Sequence, residues 1–93
     1  MAHTIKLVQT RPNKDVEFHT GGAKFLAVKA NMKEEGKILS EEGTNDETGL
    51  IRTWSITFDT ENSADVFFGD PIMQEYDRER LTYNSLNLIV ENY

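Results

Sequence analysis

The stretch Gly49 to Pro71, GLIRTWSITFDTENSADVFFGDP, runs from an alternating strand through a capped turn into an amphipathic helix, and that joint decides the fold. Successive strand side chains point to opposite faces, so Leu50, Arg52, Trp54, Ile56 and Phe58 share one face, and Ile51, Thr53, Ser55 and Thr57 the other. The first face is greasy around one cation; the second is small and polar. Thr60 or Asn62 can cap the helix that follows, whose Ala64, Phe67 and Phe68 form an inward stripe. Gly69-Asp70-Pro71 then interrupts it. Asp70 can cap a further helical segment, and Pro71 suits its first position, where a backbone N–H would have no partner anyway.

Working outward, Ile72, Tyr76, Arg80 and Tyr83 recur about one turn apart and carry that segment to roughly Asn84. Leu86 to Asn92 reads as a closing strand, with Leu86, Leu88 and Val90 alternating with Asn87, Ile89 and Glu91. Upstream, Lys37 to Glu42 reads as a strand joined to the first by the acidic turn Gly43 to Gly49. Gly22 to Glu35 places Phe25, Val28 and Met32 at helical spacing, and Gly36 stands where a helix end takes a positive φ. Thr4 to Thr10 alternates as a strand and ends at Arg11-Pro12-Asn13. Asp15 to Thr20 also alternates and predicts a short extended arm, although residues 11–22 read equally as loop or edge strand.

The order strand, helix, strand, strand, helix, strand is that of the ferredoxin-like split βαβ arrangement, an α+β fold. It predicts one domain, residues 1–93, with a four-stranded antiparallel sheet and both helices on one face. The helix side is expected to receive Ile5, Leu7, Trp54, Ile56, Phe58, Leu88 and Val90. The open side is expected to show Lys6, Val8, Thr10, Thr53, Ser55, Thr57, Asn87 and Ile89. That mixture suits a wet interface or a lined cavity, and a homodimer burying two open faces is the economical solution. A solvated sheet face is the alternative.

With no cysteine, disulfides and thiolate chemistry are excluded. Sixteen acids against ten bases give a net charge of −6, which repels a phosphate backbone, so nucleic acid is not an expected partner. The N-terminal MAHTIKLVQTRP lacks a charged segment followed by a long apolar run, and no apolar run approaches the ~18 residues of a membrane span. A soluble, cytoplasmic protein is expected, with no membrane partner.

The run FDTENSADVFFGDPIMQEY, residues 58–76, resembles the second half of dimeric α+β-barrel proteins, the superfamily of antibiotic-biosynthesis-type monooxygenases and stress-responsive barrel proteins. The opening VQTRPNKDVEF, the helix closed by Gly36-Lys37 and the hairpin entering Gly49-Leu50 are similar to marine environmental and phage-like members. The resemblance implies a dimeric barrel and a small organic ligand held between sheet and helices. It transfers no catalytic constellation residue by residue.

Trp54 and Arg52, two apart on one strand face, can form an aromatic wall with a cation for an anionic or aromatic ligand. Trp54 as core with Arg52 snorkelling to the edge accounts for the same pair. Tyr76, Arg80 and Tyr83 can bring two phenols and a guanidinium to a cleft against that face, or form a core stripe with polar tips. Asp15, Glu17 and His19 could supply oxygen and nitrogen ligands to a metal, but a solvated strand explains them, and neither metal nor other cofactor is expected. The charge run EYDRER, Glu75 to Arg80, suits i,i+4 pairs on a wet helix surface. A Gly-x-Ser-x-Gly elbow and a phosphate-binding glycine loop are both missing.

Two functional classes follow. One is a homodimeric small-molecule-binding or structural module, with Trp54, Arg52, Tyr76, Arg80 and Tyr83 as ligand-binding residues. The other is a cofactor-independent monooxygenase or isomerase-like enzyme acting on a small aromatic substrate. A buried, polar-rimmed cavity beside Trp54 is the feature that separates the two. An RNA-recognition fold shares the element order but needs aromatic residues on the open sheet face and a basic surface.

Overall fold

The computed structural model describes residues 1–92. The elements are β1 (His3–Thr10), α1 (Ala23–Glu34), β2 (Ile38–Asn45), β3 (Ile51–Phe58), α2 (Glu61–Gly69), α3 (Pro71–Asn87) and β4 (Val90–Asn92). They build an α+β fold with one open sheet, in the order β2-β3-β1-β4 and antiparallel at every pairing. One core joins sheet and helices: Ile38, Ile56 and Phe58 from the strands meet Phe25 and Met32 of α1, Ala64 and Phe67 of α2, and Met73 of α3.

Local chemistry sets the helix boundaries. The Thr60 hydroxyl accepts the Ser63 amide at 3.1 Å and starts α2, and the Asp70 carboxylate accepts the Ile72 amide at 2.8 Å and starts α3 at Pro71. Of the two caps the sequence offered before α2, Thr60 is the one used. Gly36, with φ of 75°, turns the chain out of α1.

The closing strand is shorter than its alternation predicts. α3 continues to Asn87, and Leu88, with φ of 59°, caps it in the left-handed conformation while the Ile89 amide donates to the Asn84 carbonyl. That turn resets the phase of the chain, so the expected face assignment is reversed. Ile89 is buried, whereas Leu88 and Val90, expected on the helix side, are 73% and 59% exposed. Residues 11–20 form neither helix nor strand, so the extended arm over Asp15 to Thr20 gives way to a loop. Two side chains strap this loop down: Arg11 donates to the Gly49 and Val16 carbonyls, and the Tyr83 hydroxyl donates to the Glu17 carbonyl.

One irregularity in β2 positions the site. Ile38 lies opposite Phe58, but Ser40 lies opposite Thr57 and Glu41 opposite Ile56, leaving Leu39 as an extra residue in a β-bulge. Without it Glu41 would share the outward face. With it, Glu41 and Gly43 turn towards the helices beside Ile56 and Trp54. Among the described residues no helix is long and apolar enough to cross a membrane.

Candidate functional site

A cavity of about 550 Å³ lies between the inner face of the sheet and the helices. Its floor is Leu7 and Gln9 of β1, Glu41 and Gly43 of β2, and Arg52 and Trp54 of β3; Phe25, Leu26 and Lys29 of α1 and Tyr76 and Arg80 of α3 face them. The strapped loop closes one end through His19, Thr20 and Gly21. Beyond Leu7, Trp54 and Arg80 a second cavity of about 250 Å³ continues among Ile5, Phe68 and Met73. Trp54 therefore stands as a partition.

Its indole is fixed by a carboxylate. Trp54 Nε1 donates to Glu41 Oε2 at 2.6 Å, and the same carboxylate accepts from Lys29 Nζ at 2.7 Å and Lys33 Nζ at 2.9 Å. Burial pushes the Glu41 carboxyl up, but the hydrogen bonds from Lys29, Lys33 and Trp54, with the charge of Lys29, outweigh it and hold the group at about 2. The two lysines lie one turn apart on α1, so one acidic side chain ties that helix to the sheet.

The opposite wall is aromatic. Phe25 and Tyr76 stack with ring centroids 3.9 Å apart and planes 11° from parallel. Lys29 stands 4.7 Å from the Phe25 ring and the Arg80 guanidinium 5.4 Å from that of Tyr76. Burial pushes the Tyr76 phenol up, and the nearby Arg80 only partly offsets it. Tyr76 is therefore held in its neutral form.

Arg80 is 4% exposed, which corrects the wet-surface reading of the EYDRER run for this residue. Its Nε donates to Glu91 at 2.9 Å, another nitrogen pairs with Asp77, and Gln9 donates to the same Glu91 oxygen at 2.6 Å. Burial alone would lower its proton affinity, but Glu91 and Asp77 more than restore it and leave the guanidinium above its usual range. This network locks α3 to β1 and β4.

Arg52 is arranged differently. Half-buried on the cavity floor, it lies over the bare Gly43, where an added methyl would sit 3.9 Å from its Nε, and its guanidinium stands 6.0 Å from the Phe18 ring. Among the described residues it makes no hydrogen bond or ion pair.

Four of the five residues expected at the site, Trp54, Arg52, Tyr76 and Arg80, thus line one cavity. Tyr83 does not. Its hydroxyl bonds the Glu17 carbonyl at 2.5 Å and its ring packs against His19 with centroids 5.4 Å apart, so it anchors the loop behind the wall. His19, with Tyr76 on its other side at 5.5 Å, has its Nδ1 buried without a hydrogen-bond partner among the described residues. Asp15, Glu17 and His19 do not gather into a metal-holding group. Glu41 and Gln9 were missed because no sequence signal marks the bulge or the Glu91 network; the pair Lys29 and Lys33, one turn apart on a predicted helix, was the one available hint of a buried acid.

No family model matches the chain, and no curated protein is similar to it. The solved structure of Rv0793 from Mycobacterium tuberculosis is similar, with a TM-score of 0.50 and 10% identity over 100% of this chain and 94% of that one. At that identity the likeness is one of fold alone.

Proposed function

We propose that this chain is a ferredoxin-like α+β-barrel protein that pairs with a copy of itself and binds a small aromatic molecule in the cavity beside Trp54. The cavity is the observation that carries the reading. Its volume of about 550 Å³ is that of a small-molecule site, its walls are Trp54, Phe25 and Tyr76, and a few polar groups converge on it. Had the region been filled by side chains, a purely structural role would be preferred. The strand order and antiparallel pairing support the ferredoxin-like assignment, with its second helix divided at Asp70 into α2 and α3. Pairing is supported by the open face, where Val8, Ile51 and Val90 accompany Thr53, Ser55 and Thr57. Trp54 and Phe58 face the helices, so that open face lacks the stacking aromatics an RNA-recognition sheet requires.

Trp54, the only tryptophan, reports on its own site. Its fluorescence is expected to change saturably on titration with small mono- and bicyclic aromatic compounds, with matching heats by calorimetry. A flat response across a varied aromatic panel would overturn the binding reading and leave a structural dimer. One observation favours the enzyme reading as second choice: His19 brings an imidazole with an uncommitted buried nitrogen to the wall of an aromatic cavity. Aerobic incubation of any bound aromatic compound, followed by mass spectrometry, separates the two, since an unchanged mass together with an unchanged retention time excludes both oxygenation and isomerisation.

A further inference from the structure

The charges around the cavity do not balance, and one of its cations has no acid bonded to it among the described residues. Three cations, Lys29, Arg52 and Arg80, line the wall with a single carboxylate, Glu41. Glu41 pairs with Lys29 at 2.7 Å and with the more exposed Lys33 at 2.9 Å, and Asp77 and Glu91 pair with Arg80 from behind. Arg52 faces the cavity with no carboxylate bonded to it among the described residues. Its position is nonetheless fixed, over Gly43, against the Phe18 ring and directly opposite Gln9 on β1. A guanidinium withdrawn halfway from water and given no partner has lost hydration that an anion could restore, and the low local dielectric strengthens that attraction.

We infer that the ligand of this cavity is a small aromatic carboxylate, its acid group paired with Arg52 and its ring held between Trp54 and the Phe25–Tyr76 stack. This deepens the proposed small-molecule binding and rests on it. A planar carboxylate matches the guanidinium fork with two parallel hydrogen bonds. A cationic ligand would meet an uncompensated positive charge, and a neutral one could at most accept hydrogen bonds from Arg52 without neutralising it.

The test compares acids with their isosteric amides, 2-naphthoate against 2-naphthamide and benzoate against benzamide, by calorimetry and Trp54 fluorescence. On the native protein the acid of each pair is expected to bind about 10- to 100-fold more tightly than the amide, the range of a hydrogen bond to a charged group. In Arg52→Gln the two affinities are expected to converge, while Arg52→Lys, which keeps the charge but loses the fork, retains part of the preference. Equal affinity of acid and amide on the native protein would overturn the inference while leaving the cavity a binding site. A preference for the acid that survives intact in Arg52→Gln would overturn it too. Silence from every acid and every amide would instead remove the binding reading itself, and the inference with it.

Discussion

The indole N–H of Trp54 donates to the carboxylate of Glu41 at 2.6 Å, across the β2–β3 pair. Glu41 faces Trp54 only because Leu39 bulges out of β2 and shifts every later residue of that strand to the opposite face. A single extra residue thus moves an acid from solvent into the cavity, where it fixes the aromatic wall and pulls Lys29 and Lys33 of α1 onto the sheet.

Acid is expected to loosen this arrangement first. The fold holds the Glu41 carboxyl at about 2 against an ordinary 4.5, so folding favours its ionised form. The contribution is complete above about pH 4.5 and disappears as the pH falls towards 2. Denaturant midpoints across that window are expected to fall more steeply for the native protein than for Glu41→Gln. Parallel curves would show that the carboxylate does not contribute in this way.

Phe58 is 0% exposed and packs against the rings of Phe67 and Phe68 with centroids at 5.5 and 6.2 Å. Phe58→Ala is expected to cost about 3–5 kcal/mol, the loss of buried surface plus the cavity left behind. An equilibrium unfolding measurement giving less than about 1 kcal/mol would mean that the core does not close around this ring as described.

Arg80 tests whether the buried ion network or its geometry matters. Arg80→Ala leaves Glu91, the acceptor of Gln9, without its cation and is expected to destabilise by about 3–5 kcal/mol. The double variant Arg80→Met with Glu91→Met removes both charges and fills the space, and is expected to regain much of that loss. If the double variant regained nothing over Arg80→Ala, the charged pair would be contributing net stability over an apolar filling of the same space.

Much of this was legible in sequence, for identifiable reasons. The β3 strand, the Thr60 and Asp70 caps and Pro71 at the start of α3 are local signals, each completed within a few residues. Four of the five expected site residues meet because strand alternation and helical spacing fix their faces once the elements are right. The failures begin where a single residue changes phase. Leu88 in the left-handed conformation reverses the inward face expected of the last strand, and the bulge at Leu39 turns Glu41, for which the sequence suggested no face, towards the helices. Neither leucine carries a turn signal, and around Leu88 the apolar Leu86 and Val90 supported the wrong alternation. Tyr83 was placed by helical spacing on the stripe of Tyr76 and Arg80, but it lies at the flank, where the loop over it takes its hydroxyl.

That hydroxyl is one of few ties on the loop closing the cavity. Tyr83→Phe removes the donor to the Glu17 carbonyl while leaving the ring against His19. The loss of one hydrogen bond, about 1 kcal/mol, is expected to raise the open population of the loop about fivefold. Limited proteolysis within residues 12–20 is expected to accelerate accordingly, with the global unfolding midpoint little changed. An unaltered cleavage rate would show that Arg11 and the Phe18 contacts hold the loop without Tyr83.

The proposed dimer has its own test on the opposite side of the sheet. Val8 lies on the outward face of β1 opposite Thr53 of β3, with Ile51 and Val90 on the same face flanking Thr10. Light scattering of the native protein at high micromolar concentration is expected to give twice the chain mass. Val8→Glu places a charge in the middle of that face, where burial in an interface would cost its hydration, and is expected to give a monomer with an unchanged circular dichroism spectrum. The cavity lies on the other face, so ligand titration of that monomer is expected to match the native protein. A native protein that scatters as a monomer would make the open face a solvated one, and would separate the small-molecule site from any role for a second copy.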